Sequence, residues 1–146
     1  MSWHPHVTVA TVIEDRGRFL LVEEEAGGRL VYNQPAGHLE AGETLLEAAC
    51  RETLEETGWT AELDGVISVG LYTAPANGVT YMRTTFFGRA VHHDPTLPLD
   101  TGIQRAVWLT PAELAATPEK LRSPMVLQVI HQYLAGQRFP LALIFP

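Results

Sequence analysis

Residues 37–59 read GHLEAGETLLEAACRETLEETGW and hold a dense cluster of carboxylates. Apolar residues recur at helical spacing across 43–57, so this part of the segment predicts a helix. Glu52, Glu55 and Glu56 then stand at i, i+3 and i+4 and share one face of that helix. Three carboxylates this close repel one another in water, whereas a hard divalent cation takes several oxygen ligands. The segment therefore predicts a metal site on one helix face.

Two further positions in this segment have a physical task. Gly37 has no Cβ and permits a close backbone approach, so its carbonyl can face a metal. Arg51 lies one helical turn from both Glu47 and Glu55 and can orient a carboxylate as a bidentate donor. The alternative for the glutamates alone is a solvated acidic helix face. The presence of Gly37, Glu43 and Arg51 in the same short segment disfavours that alternative.

The chain as a whole is acidic and has the size of one domain. It has 146 residues and a formal net charge of −7, with 46% hydrophobic and 18% charged residues, as in soluble globular proteins. We therefore expect a single domain over 1–146. The ten lysines and arginines form no basic stripe, which disfavours binding to a long nucleic acid. An acidic protein that handles phosphates needs a cation in its site.

Other sequence features bear on location. No apolar run approaches the ~20 residues of a membrane span. The first residues lack a basic region followed by an apolar one, so we expect no secretory signal. The single Cys50 excludes an internal disulfide and is typical of a reducing cytosol. We therefore expect a cytoplasmic protein that does not contact a membrane.

Strand and helix patterns are mixed along the chain. Alternating β-branched segments predict strands, and apolar stripes that follow capping residues predict helices. The expected strands span 7–13, 18–22, 30–32, 61–63, 66–72, 79–91 and 105–109, and the expected helices span 43–57, 110–114 and 125–134. Residues 33–37 are expected to form a loop, because Pro35 cannot donate to a sheet. The mixture predicts the α/β class, with a sheet packed between helical layers.

The spacing in 37–59, Gly-x5-Glu-x7-Arg-Glu-x2-Glu-Glu-x-Gly, resembles the signature of the Nudix hydrolases. The resemblance implies the Nudix fold, an α/β fold in which a mixed β-sheet is sandwiched between helices. It also implies hydrolysis of a diphosphate bond that depends on Mg2+, with Mn2+ as an alternative ion. In this chemistry the metal neutralises phosphate oxygens and lowers the pKa of a water.

The family's site residues carry over position by position. The metal ligands implied are three carboxylates and one backbone carbonyl, those of Glu52, Glu55, Glu56 and Gly37. The catalytic residues implied are Glu55, Glu52, Glu43 and Arg51. Within this set, Glu43 and Arg51 hold the loop and the helix together. Glu55 is the first candidate for the general base, and Glu52 is the second.

A late loop bears on the choice of base. In other Nudix enzymes the base comes from the loop before the Trp-containing strand, which is 99–104 in this chain. The acid often found six residues before that tryptophan is replaced by Gly102. Asp100 is the only acidic residue left in the loop. This departure from the family pattern shifts the assignment of the base to the helix.

Segments outside 37–59 resemble one Nudix subgroup, the bacterial NudJ-type phosphatases. They are 6–10, 22–24, 33–40, 121–124 and 136–141. This resemblance implies a phosphatase that acts on nucleoside tri- and diphosphates, and on the diphosphates of thiamine and its hydroxymethylpyrimidine precursor.

Seven residues are candidates for the substrate pocket. Aromatic rings can stack on a flat base, which selects Tyr32, Tyr72 and Tyr81. Guanidinium groups can hold phosphate oxygens, which selects Arg83 and Arg122. Side-chain amides can read ring edges, which selects Asn33 and Gln34. Ordinary sheet packing for the tyrosines, a solvated position for Arg83 and a capping role for Arg122 stay open as alternatives.

Two other functions stay open. One is an ADP-ribose or other nucleoside-diphosphate-X pyrophosphohydrolase. Pro75 lies sixteen residues past Trp59, a spacing associated with ADP-ribose pyrophosphatases, but the NudJ-type group carries a similar proline, so Pro75 does not decide the substrate. The low basic content disfavours an enzyme that acts on RNA ends. A catalytically silent nucleotide-binding module is a third reading, which the intact glutamates disfavour. The expected partner is a small phosphorylated substrate, and the expected assembly is a monomer or a homodimer.

Overall fold

The computed structural model describes residues 2–146. The strands are β1 (His6–Asp15), β2 (Arg18–Ala26), β3 (Arg29–Asn33), β4 (Ala36–His38), β5 (Trp59–Thr73), β6 (Thr80–His93) and β7 (Ile103–Leu109). The α-helices are α1 (Leu45–Thr57), α2 (Pro111–Ala115) and α3 (Met125–Leu134). Short 3-10 turns occur at Pro118–Lys120 and Leu141–Leu143. No helix in this part of the chain is long and apolar enough to cross a bilayer.

The strands form one mixed sheet in the order β3-β2-β1-β6-β5. Strands β1 and β6 run parallel, and the other paired strands are antiparallel. Two strands lie off this path, because β4 pairs with β1 and β7 pairs with β2. Gly37 of β4 stands opposite Val9 of β1. This pairing brings the start of the acidic segment to the centre of the sheet.

Helices cover both faces of the sheet. Alternate residues of β1 point to opposite sides, as in any strand. On one side Val9 packs with Ala48 and Ala49 of α1. On the other side Val12 packs with Val126 of α3. The predicted α/β fold, a mixed sheet between helices, is therefore confirmed.

Helix α1 begins two residues later than the sequence pattern predicts. The Thr44 hydroxyl accepts a hydrogen bond from the Glu47 N–H at 3.1 Å, and the Glu47 carboxylate accepts one from the Thr44 N–H at 2.8 Å. This capping box makes Leu45 the first helical residue. Glu43 therefore lies in the preceding loop, where its carboxylate is free to bind a helix side chain.

Most predicted strands differ from the structure by a few residues at their ends, and two predictions differ in kind. The predicted strands 61–63 and 66–72 form one strand of 15 residues, β5. β-Bulges near Gly65 and Ile67 interrupt the alternation of its side chains without ending the strand. Residues 36–37, predicted as loop, belong to β4. Pro35 lies just outside β4, and its carbonyl accepts a hydrogen bond from the Thr11 N–H at 3.1 Å. The missing N–H of Pro35 therefore does not interrupt the pairing.

Candidate metal and substrate site

Three carboxylates from two separate segments converge at α1. One oxygen each of Glu52, Glu55 and Asp100 lies within 4.8 Å of the other two. Asp100 belongs to the loop between β6 and β7, and its backbone N–H donates to the Glu55 carbonyl at 3.1 Å. Glu56 lies on the same side of the helix and is 8% exposed. Of the predicted ligands, Glu52 and Glu55 are therefore brought together and the late loop adds the carboxylate of Asp100, whereas Glu56 lies outside this group of converging oxygens.

Strand β4 lies directly against this carboxylate face. The Ala36 N–H donates to Glu56 Oε1 at 2.9 Å. A Cβ atom placed on Gly37 would overlap the carboxylate of Glu52. Only glycine therefore permits this close approach between the strand and Glu52, as its position in the acidic segment predicts.

Arg51 connects the loop before α1 to the carboxylate face. Its Nε and Nη2 donate to the two oxygens of Glu43 at 2.9 and 2.7 Å, which is a bidentate ion pair. Its Nη1 donates to Glu52 Oε1 at 2.6 Å, and its Nη2 also donates to the His38 carbonyl at 3.0 Å. The hydrogen bonds from Arg51 lower the pKa of Glu43. Arg51 thus fixes the orientation of Glu52 and ties the loop to the helix.

Burial makes the carboxylate face costly to charge in the absence of a cation. Desolvation raises the pKa of Glu56 to about 9, against the opposing hydrogen bond from Ala36. Desolvation also raises the pKa of Glu52, and the hydrogen bond from Arg51 opposes that rise. The groups gathered here offer only oxygen atoms, and Mg2+ and Mn2+ prefer such ligands. The donor set therefore fits a hard divalent cation.

The raised pKa of Glu56 predicts a stability effect in the metal-free protein. Its folded pKa of about 9 exceeds the ordinary value of 4.5, so the protonated carboxyl favours folding. This contribution is complete below pH ~4.5 and is lost as the pH rises toward 9. Glu56→Gln cannot ionise and can still accept the Ala36 N–H. In EDTA we expect its Tm to exceed that of the wild type by about 10 °C or more at pH 8.5, and by little at pH 5.

Thermal unfolding followed by circular dichroism measures this difference. Glu119→Gln, a change at an exposed position away from the site, serves as the matched control. A Tm difference for Glu56→Gln that stays constant between pH 5 and 8.5 contradicts the assignment of a raised pKa.

A cavity of about 570 Å3 adjoins the carboxylate face. Gly37 and His38 belong to its lining and connect it with α1. Five of the seven predicted substrate residues also line it: Asn33, Tyr72, Tyr81, Arg83 and Arg122. The structure therefore places most of the predicted substrate groups beside the predicted metal ligands.

Arg83 is the buried cation of this cavity. It is 6% exposed and forms no ion pair with any residue in 2–146. Its Nη2 donates to Asn33 Oδ1 at 3.1 Å and to Gln34 Oε1 at 3.2 Å. Burial lowers the pKa of Arg83 to about 10. A buried guanidinium with unused N–H groups facing a cavity suits an anionic ligand such as a phosphate.

Two predicted substrate residues lie outside the cavity lining. Gln34 is 1% exposed, and its Nε2 donates to the Val126 carbonyl at 2.7 Å. Because its other end accepts from Arg83, Gln34 supports that guanidinium and has no free group to read a ring edge. Tyr32 packs against the core beside α3, with Lys120 Nζ 6.0 Å from its ring centroid. Sequence patterns alone do not separate these positions from true pocket residues.

Two acidic residues that were not predicted as site residues, Asp100 and Glu24, lie at the site. Gly102 has a φ of +92°, and its carbonyl accepts the Glu25 N–H at 2.9 Å, so the conformation of this turn favours a glycine at this position. Asp100, two residues earlier, is the acid that reaches α1. Glu24 lines the cavity and accepts a hydrogen bond from Arg122 Nη1 at 2.6 Å. Asp100 had a sequence signal, as the only acid in its loop, whereas Glu24 belonged only to a segment of general subgroup resemblance, 22–24.

Comparisons with known proteins agree with this geometry. The family model for the NUDIX domain matches residues 3–129. Phosphatase NudJ of Escherichia coli strain K12 is 44% identical over 140 residues, which cover 96% of this chain and 90% of that protein. A solved NUDIX hydrolase from Nitrosomonas europaea superposes with a TM-score of 0.95 and 45% identity, covering 98% of this chain and 97% of that one. A UDP-X diphosphatase structure superposes with a TM-score of 0.76 at 19% identity, over 96% of this chain and 68% of the other, which indicates the fold alone.

Proposed function

Since the chain belongs to the NUDIX family and is a hydrolase of diphosphate bonds in small phosphorylated substrates, we propose that it is a Mg2+-dependent phosphatase. Its proposed substrates are nucleoside tri- and diphosphates and the diphosphates of thiamine or hydroxymethylpyrimidine. The name of its 44% identical relative, a phosphatase, supports this choice. The formal net charge of −7 supports a small substrate over a long nucleic acid.

One observation carries the proposal. Oxygens of Glu52, Glu55 and Asp100 converge beside the cavity. The cavity is lined by the buried guanidinium of Arg83, which forms no ion pair within residues 2–146. The residues that would hold the metal are Glu52, Glu55 and Asp100, whose oxygens converge, together with the predicted ligands Glu56 and the Gly37 carbonyl. When bound, the cation neutralises phosphate oxygens and activates a water for attack at phosphorus.

The chain's own residues have distinct parts in the proposed reaction. Arg83 binds phosphoryl oxygens through its unused N–H groups. Tyr72 and Tyr81 stack on the organic part of the substrate. Arg51 and Glu43 position Glu52 and take no part in proton transfer.

Glu55 is the proposed general base, and its environment supports that choice over Glu52. The carboxylate of Glu52 is held by Arg51 at 2.6 Å, whereas that of Glu55 is 3.5 Å from Arg51 and 39% exposed. The ion pair with Arg51 occupies a Glu52 oxygen and fixes its orientation, whereas the more exposed carboxylate of Glu55 can approach a water. The proton of the attacking water is therefore expected to pass to a carboxylate oxygen of Glu55.

Product analysis with thiamine diphosphate, GTP and ADP-ribose tests the proposed function. We expect inorganic phosphate from the first two in the presence of Mg2+, and a rate near background after EDTA treatment, because the carboxylate face then has no cation. Restoring Mg2+ should restore the rate. Release of phosphate that is insensitive to EDTA contradicts the metal dependence.

ADP-ribose represents the second candidate function. Pro75, whose spacing from Trp59 is associated with ADP-ribose pyrophosphatases, lines the cavity. Cleavage of its diphosphate yields AMP and ribose 5-phosphate and no inorganic phosphate, so chromatography separates the two functions. Turnover of ADP-ribose without turnover of the other two substrates favours this second candidate.

A further inference from the structure

We propose that Glu24, in the wall of the cavity, accepts a hydrogen bond from the organic part of the substrate. It would thereby select substrates that carry a hydrogen-bond donor at that point, either a ring amino group or a sugar hydroxyl. The inference rests on the proposed function, because it assumes that the cavity holds the organic part of a phosphorylated substrate.

Glu24 has an acceptor to spare. Its side chain is 12% exposed, and its Oε1 accepts from Arg122 Nη1 at 2.6 Å and from Asn33 Nδ2 at 3.4 Å. Its Oε2 has no hydrogen-bond partner among residues 2–146. A carboxylate offers about four lone-pair sites over its two oxygens. The Oε2 atom of a largely buried carboxylate that lines the cavity is therefore free to bind a donor.

Asn33 connects Glu24 to Arg83 and fixes the arrangement. Its Oδ1 accepts from Arg83 Nη2 at 3.1 Å, and its Nδ2 donates to Glu24. Both ends of the Asn33 amide therefore hold protein groups, which fixes the position of Glu24 relative to Arg83. The cavity wall presents a cation at one end of this array and an anion at the other.

The two ends of the array suit different parts of a substrate. Phosphate oxygens only accept hydrogen bonds and carry negative charge, so they are attracted by Arg83 and repelled by Glu24. The group that meets Glu24 therefore belongs to the organic part and donates a hydrogen bond. Glu24 does not belong to the converging oxygens of Glu52, Glu55 and Asp100, although its charge acts on Glu56. The Mg2+ dependence of a Glu24 variant is therefore part of the test.

Substrate discrimination by Glu24→Gln tests the proposal. The values of kcat/KM are measured for CTP, UTP and 2′,3′-dideoxy-CTP. If the donor is a ring amino group, the wild type prefers CTP over UTP by about tenfold or more, and Glu24→Gln reduces that ratio toward one. If the donor is a sugar hydroxyl, CTP and UTP react alike, and the variant instead removes a preference for CTP over its dideoxy analogue.

Controls separate this role from a structural one. Glu25→Gln removes the same charge from an exposed position of β2 and should keep the wild-type ratios. An equal loss with all three nucleotides in Glu24→Gln overturns the proposal, because Glu24 then only holds Arg122. A changed Mg2+ concentration for half-maximal rate overturns it as well, since Glu24 would then act at the cation.

Two further results complete the test. If Glu24→Gln does not fold, Glu24→Asp keeps the charge but withdraws the carboxylate by one methylene, and the same loss of discrimination is expected. A wild type that turns over CTP without preferring it over either analogue also overturns the inference. A wild type that turns over none of the three nucleotides contradicts the proposed function itself, so the two failures are distinct.

Discussion

Replacing Glu55 by Gln is expected to lower kcat by about 1,000-fold or more, because the variant loses both a proton acceptor and a carboxylate of the metal face. The side chain is 39% exposed and makes only a 3.5 Å contact with Arg51, so little folding energy depends on it. We therefore expect a Tm close to that of the wild type. Steady-state phosphate release and thermal unfolding measure the two quantities on the same preparation.

Asp100→Asn is the informative comparison for this prediction. Its carboxylate meets those of Glu52 and Glu55, and it comes from the loop that supplies the base in other members of the family. If Asp100 only assists in holding the cation, added Mg2+ restores a large part of the lost rate. Glu55→Gln could instead keep the full rate while Asp100→Asn loses a rate that Mg2+ does not restore. That result would assign the general base to Asp100.

Gly37→Ala is expected to lower kcat/KM by about 100-fold while the domain stays folded. The new Cβ would occupy the space of the Glu52 carboxylate, which is the far end of a flexible side chain and can move aside. The substitution therefore displaces the side chain of Glu52, a proposed metal ligand, and leaves the backbone in place. Displacements of about 1 Å at a catalytic group are enough for losses of this size.

Mg2+ dependence identifies the cause of that loss. We expect the Mg2+ concentration for half-maximal rate to rise in Gly37→Ala, with a Tm change of no more than about 2 °C. Gly70→Ala is the matched control, because its Cβ would meet only Met125 Cε at an ordinary 3.5 Å. A fall in Tm that parallels the loss of rate would assign the effect to folding.

The acidic segment allowed much of the site to be predicted, because its information is local. Spacings of three and four residues along a helix place Glu52, Glu55 and Glu56 on one side whatever the rest of the chain does. The link between Arg51 and Glu43 was implied by the resemblance of the segment to the Nudix signature, since spacing alone pointed to Glu47 and Glu55. The strand and helix patterns likewise predicted a mixed sheet between helices.

Tertiary contacts decide what could not be predicted. The sequence shows Asp100 as an acid in a loop, and only a backbone hydrogen bond to the Glu55 carbonyl brings it to the helix. Gln34 and Asn33 are neighbours of similar chemistry, yet one is buried against α3 and the other lines the cavity. The position of Glu24 depends on Arg122, which is 98 residues away along the chain.

The anchoring of Gln34 has a consequence for the energetics of binding. Gln34 connects the carbonyl of Val126 in α3 to the guanidinium of Arg83, so the cation of the cavity is held by the protein core before any substrate arrives. The loss of side-chain entropy is thereby part of folding and not of association. Such preorganisation favours the binding of small substrates in particular. A small substrate makes few contacts, so its binding free energy could not easily offset the entropy lost in ordering a mobile side chain.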